Sequence, residues 1–148
     1  MSFHFPLQAL LHFRQSVEHQ HELRLRAINQ QVARVRRLQE QVNAQIRQLK
    51  AGETQELNAG TTAAEIAFDL GCVAVLQQHR QTIDRELARL EGVRDQQQRV
   101  YQQARREREI LENLRNQKLE EYRRGALRRE QRQLDDLFLL RRSYLQRG

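Results

Sequence analysis

Residues 76–111 read LQQHRQTIDRELARLEGVRDQQQRVYQQARREREIL, and this stretch decides the fold. Leu76, Ile83, Leu90, Ala104 and Leu111 recur in steps of seven, with only Gln97 interrupting the row. Val73, Leu87, Tyr101 and Tyr122 supply a second row at the complementary phase, with Arg80, Arg94, Arg108 and Arg115 filling its intervening places. Two such rows form the seam of a coiled coil, here diluted by polar and charged residues. Read outward, the pattern meets no proline from Thr62 to Arg147, so the spacing predicts one helix over about 62–147. At about 1.5 Å of rise per residue that helix would run roughly 130 Å, more than an ordinary globular domain encloses. It must find a partner helix or stand partly in solvent.

The partner lies upstream. Leu25, Val32, Gln39 and Ile46 form one heptad row, and Ile28, Val35, Val42 and Leu49 the other. Before Leu25 the apolar residues change phase: Leu10, Phe13 and Val17 lead through His21 to Leu25 with successive four-residue steps, the pattern of a stutter. Pro6 suits a first helical turn, and Lys50 followed by Gly52 is the chemistry of a helix end, which together place helix 1 over about residues 6–50. Residues 51–61, containing GETQELNAG, form the expected connection, and Thr62 with Glu65 fits a capping box that restarts the helix. The expected fold is all-α, an elongated antiparallel two-helix coiled-coil hairpin with a longer C-terminal helix, forming a single domain over 1–148. Helix 1 would pair with about Thr62 to Ala104, and the rest would overhang, weakened by Gly125 and ending in Leu134, Leu137, Phe138, Leu140, Tyr144 and Leu145. With nothing in cis to cover that cluster, its expected partner is another molecule.

Composition agrees with an extended helical chain. The 148 residues are 39% hydrophobic and 30% charged, with one proline and no tryptophan, enough for a seam but not for a thick core. Residues 1–50 carry 8 basic and 3 acidic groups, 51–104 carry 5 and 8, and 105–148 carry 13 and 8, within a formal net charge of +7. The two ends are basic and the middle is acidic. Of the 26 cations only Lys50 and Lys118 are lysines, and arginine favours planar, bidentate pairing with the carboxylates of a protein partner. A lone cysteine and a start without a basic flank or cleavage site lead to the expectation of a non-secreted, cytoplasmic protein.

Catalytic chemistry has little to stand on. His4, His12, His19, His21 and His79 do not form a paired-histidine metal motif, Cys72 has no CxxC mate, and no phosphate-binding glycine loop precedes a lysine. The pairs Asp135 with Asp136 and Glu120 with Glu121 lie on a helix without a pocket to desolvate them. No enzyme, cofactor or metal is therefore expected. The basic ends admit nucleic acid or an anionic membrane surface, but their arginines are interleaved with glutamates.

Two stretches go beyond a generic coiled coil. Phe3, Phe5, Leu7, Leu10, Leu11, Arg14 and Glu18, followed by Leu23, resemble the N-terminal pattern of the flagellar export protein FliJ family. Arg106, Glu107, Glu109, Leu111, Leu114, Lys118 and Tyr122, then Glu130, Leu134, Asp135, Asp136 and Arg141, are similar to its C-terminal pattern. The family usually shows Asp-Glu where Asp135-Asp136 stand, and this tail ends in more large apolar residues. The resemblance implies a cytoplasmic component of the flagellar type III export apparatus, peripheral at the inner membrane. It further implies a stalk whose terminal end enters and stimulates the hexameric ATPase FliI and which contacts the export gate protein FlhA, with an escort role toward export chaperones. Carried onto this chain, the ATPase-binding end comprises Phe5, Leu7, Leu10, Leu11, Arg14, Leu134, Phe138, Arg141 and Leu145. The gate-binding region near the hairpin tip comprises Val42, Ile46, Leu49, Cys72, Leu76 and His79. A basic nucleic-acid-binding coiled coil, a self-assembling structural coiled coil and the equivalent stalk of a virulence secretion system are the alternatives.

Overall fold

The computed structural model describes residues 2–147, which form an all-α antiparallel hairpin of two helices packed against each other, with no strand among the described residues. Helix α1 runs over Gln8–Ala59 and helix α2 over Ala63–Arg147. Pro6 and Leu7 make a turn ahead of α1, in which the Gln8 amide donates to the Phe5 carbonyl at 3.1 Å and the Leu11 amide to Leu7 at 2.9 Å.

The connection is much shorter than residues 51–61. Gly60 has φ of 81°, the one positive value among the described residues, and glycine adopts this conformation without the Cβ clash of other residues. The Thr61 amide and hydroxyl both donate back to the Glu56 carbonyl, the amide at 3.2 Å. This six-to-one bond across a left-handed glycine is a Schellman closure of α1. Thr62 then caps α2: its hydroxyl accepts from the Glu65 amide at 3.4 Å and its carbonyl from the Ile66 amide at 3.2 Å. The Thr62–Glu65 start is thus where the sequence puts it, whereas the helix end near Lys50 is not. Gly52 remains helical, and the Thr54 hydroxyl donates to the Lys50 carbonyl at 3.1 Å within the continuing helix. A single helical glycine costs only about 1 kcal/mol, and the Glu, Gln and Ala around it carry the helix on to Ala59.

The chain packs as two compact units. In the unit formed by His19–Gln102, Val42, Ile46, Val73 and Ile83 form a buried cluster with Val35, Leu49 and Leu76 against it, and Val32 and Leu90 are buried as well. Each fully buried side chain of this kind contributes about 1.5–3 kcal/mol relative to leaving it in water, and the partly buried ones less. Polar pairs flank the seam: Arg36 to Glu91 at 3.1 Å, Gln39 to Asp84 at 2.6 Å, and Gln97 to the His21 carbonyl at 3.2 Å.

In the unit that joins residues up to Glu18 with those from Gln103 onward, Phe5, Leu11 and Ala104 are the buried apolar residues among those described. Cross-helix contacts here are mostly polar: Arg14 to Glu107 at 2.5 Å, Arg108 to Glu18 at 2.6 Å, and Arg115 to Gln8 at 3.1 Å. The rings of Phe3 and Tyr122 close the paired stretch, with centroids 5.7 Å apart. Pairing therefore reaches Tyr122 rather than Ala104: the extension of α1 from Lys50 to Ala59 accounts for about half of that shift, and Phe3, ahead of α1, makes the contact at Tyr122. The stutter is absent too. The inward positions continue as Leu11, Arg14, Glu18, His21 and Leu25 in regular steps of three and four, while Leu10 and Phe13 face outward. Following apolar residues alone led off the seam, since its occupants here are charged.

The two glycines should respond oppositely to alanine. Gly60→Ala forces an L side chain into a left-handed conformation and should destabilise the protein by about 1–2 kcal/mol. Gly52→Ala meets nothing within 4 Å and should stabilise it by about 0.5–1 kcal/mol. Urea unfolding of both variants against the parent checks the signs.

Candidate partner-binding surfaces

Among the described residues no group of three His, Cys, Asp or Glu could hold a metal ion, and no helix is long and apolar enough to cross a membrane. What the chain presents instead is surface, and three regions of it stand out.

The first is the arm of α2 beyond Tyr122. Residues 123–147 carry 8 arginines against 3 carboxylates. Every described residue from Leu127 on is exposed, including Leu134 at 62%, Phe138 at 65% and Tyr144 at 79%. Leu137, Phe138, Leu139 and Leu140 are consecutive, and at about 100° per residue they point to nearly all sides of the helix. A helix that is apolar all round belongs inside something. Of the predicted ATPase-end residues, Leu134, Phe138, Arg141 and Leu145 lie on this arm, and Leu7 and Leu10 are exposed near the start of α1. Phe5 and Leu11 are core, and Arg14 is engaged with Glu107. Leu134 sits twelve residues past Tyr122, about 18 Å along the helix, so the N-terminal and C-terminal candidates form two patches rather than one.

The second region is at the hairpin turn. Phe68, Gly71, Cys72, Val75 and Leu76 line an open apolar groove, with Phe68 71% exposed. Of the predicted gate residues, Val42 and Ile46 are buried and Leu49 and Leu76 pack on them, whereas Cys72 borders the groove and His79 is exposed. Phe68 and Val75 escaped the sequence reading. Their signal was available: they lie seven apart and off the seam defined by Val73 and Leu76. Acidic groups surround the turn. The Glu56 carboxyl hydrogen-bonds the Asp69 side chain, and this, with desolvation and the charges of Asp69, Glu65 and Glu53, raises its pKa above the ordinary carboxylate value.

The third region is the charged seam of the terminal unit. Arg108 binds Glu18 across the helices and Glu112 along its own, and Glu18 and Arg108 retain only 16% and 21% side-chain exposure. The hydrogen bonds that Arg108 donates to Glu18 raise its pKa and hold the guanidinium charged against the desolvation that opposes it.

The family model described as Flagellar FliJ protein matches residues 3–148. Neither the curated proteins nor the solved structures yield a match.

Two measurements follow from the second and third regions. Arg108→Ala leaves Glu18 half-buried without its cation and should cost about 1.5–3 kcal/mol in urea unfolding. Replacing Glu18 and Arg108 together by leucine should restore stability or exceed the parent. At the turn, the folded state holds the Glu56 proton to higher pH than the unfolded chain does. The associated stability is full below the ordinary glutamate range and is lost as pH rises through the raised value. Carboxyl NMR titration should find Glu56 above the other glutamates, and Asp69→Asn should bring it down.

Proposed function

The chain belongs to the flagellar FliJ family and is a component of the flagellar export apparatus, and within that apparatus we propose that it acts as a coiled-coil stalk. It inserts into the hexameric export ATPase FliI, stimulates ATP turnover, and links the ATPase to the export gate protein FlhA. The observation that carries this reading is the arm after Tyr122, where large apolar side chains on all sides of the helix stand exposed among arginines. Such a segment suits a socket that surrounds it, with apolar walls for the leucines and carboxylates for the guanidinium groups. A ring of ATPase subunits supplies an enclosure of that kind.

The stalk contributes binding rather than catalysis. By occupying the centre of a ring it favours the assembled hexamer over free subunits, through the mass action of any ligand that binds one state preferentially. The gate contact falls on the outward face near the turn, where Phe68, Cys72, Val75 and His79 follow one another at helical spacing. Val42, Ile46, Leu49 and Leu76 hold that face in place from within. Escort of export chaperones and peripheral residence at the cytoplasmic face of the inner membrane, through these partners, complete the proposal.

Leu134→Ser/Phe138→Ser/Leu145→Ser should abolish stimulation of the cognate ATPase while leaving circular dichroism unchanged, because none of the three side chains is buried in the free protein. Stimulation equal to that of the parent would remove the arm from the mechanism. Phe68→Ser/Val75→Ser should weaken FlhA binding in a titration and leave ATPase stimulation intact.

A further inference from the structure

The two exposed surfaces complement each other. Around the turn, residues 51–79 contain four carboxylates, Glu53, Glu56, Glu65 and Asp69, and no lysine or arginine. The same segment carries the apolar groove lined by Phe68, Gly71, Cys72, Val75 and Leu76. The arm has the opposite charge and the same apolar character, with 8 arginines against 3 carboxylates over 123–147 and exposed side chains from Leu127 to Leu145. Opposite charge and shared apolar character suit each surface to cover the other.

We propose that the arm of one copy of this chain docks on the acidic hairpin-turn segment of a second copy, over the apolar groove that segment carries. In this arrangement leucines of the arm meet Phe68 and Val75, while arginines such as Arg141 and Arg142 approach Glu65 and Asp69. Gly71 leaves room for the incoming helix, since a Cβ at that position would meet nothing within 4 Å. The interface is heterologous, joining one patch to a different patch, so it leaves a free arm and a free groove at either end of any pair. It also covers in trans both surfaces that the proposed stalk function needs exposed. Self-association is then a storage form that partners at either end dissolve by competition. The inference goes beyond the stalk reading and does not depend on it, because it requires only the two surfaces and their opposite charges.

Sedimentation of the full chain over a range of concentrations tests it. Association should appear as concentration rises and weaken by about tenfold or more between about 0.1 M and about 1 M salt, as screening of exposed charges requires. Arg141→Glu/Arg142→Glu and Glu65→Arg/Asp69→Arg should each be monomeric alone with unchanged helicity. Mixing the two variants should restore association, because each then offers the other an oppositely charged arm and groove. Gly71→Leu fills the groove without touching the seam and should also prevent association. A chain that stays monomeric at every concentration at low salt overturns the proposal. So does association that survives both Glu65→Arg/Asp69→Arg and Gly71→Leu, since that result would place arm against arm. Measurement of ATPase stimulation by the same variants keeps the two readings apart: Glu65→Arg/Asp69→Arg should still stimulate, and a loss of stimulation there would count against the stalk assignment without bearing on self-association.

Discussion

One left-handed residue sets the pairing of the two helices. Gly60 at φ of 81° ends α1, Thr61 closes it onto Glu56, and Thr62 opens α2. In an antiparallel hairpin the turn is the origin from which partners are counted, so moving it by a few residues reassigns every contact. With the turn at Gly60 the buried cluster joins Val42 and Ile46 to Val73 and Ile83, and Gln8 finds Arg115. A turn at Gly52 would bring Arg108 past the start of α1 and leave Glu18 without it. The polar contacts therefore reinforce what the turn begins: a shifted register strands charges that the observed one satisfies.

The two units use different means to hold the same pair of helices. In His19–Gln102 the seam is aliphatic, and burial of valine and isoleucine supplies the stability. In the other unit the inward positions include Arg14, Glu18, Arg108 and Arg115, and among the described residues the fully buried apolar side chains are Phe5, Leu11 and Ala104. Half-exposed ion pairs contribute little net stability but are demanding in geometry. This end is thus specified more strongly than it is stabilised, which suits a region that must stay in register while its neighbouring surfaces engage partners.

Much of this was legible in the sequence, and the errors share one cause. The heptad rows from Leu25 to Leu49 and from Val73 to Leu111 give the fold class directly, because apolar residues mark the seam there. Upstream of Leu25 the rule fails: Leu10 and Phe13 are apolar but face outward, and Arg14 and Glu18 are charged but face inward. Only the identity of their partners, Glu107 and Arg108, reveals this, and those partners are unknown until the register is fixed. The register in turn rested on choosing between Gly52 and Gly60. Local chemistry favours both as helix ends, and the left-handed Gly60, with the Thr61 and Thr62 bonds beside it, closes the helix at the second. At the candidate surfaces the exposed arm was readable as an apolar cluster beyond any partner. Phe68 and Val75 were readable only through their offset from the seam of Val73 and Leu76, since an apolar run does not by itself say which of its members face out.

The arm raises a question of order that its chemistry answers. Glu120 to Arg124 and Gln131 to Asp135 pair one turn apart along α2, and such pairs give only about 0.2–0.5 kcal/mol each. An isolated helix of this length is marginal in water, yet the arm is not isolated: it continues the paired part of α2 and so inherits a nucleus that a free peptide would have to form. Propagation from that nucleus keeps the arm helical at small cost, while its exposed leucines and Phe138 gain nothing until they are covered. The free energy of covering them is consequently available to binding rather than spent on folding, and this is why the least stabilised segment of the chain is the one best suited to hold a partner.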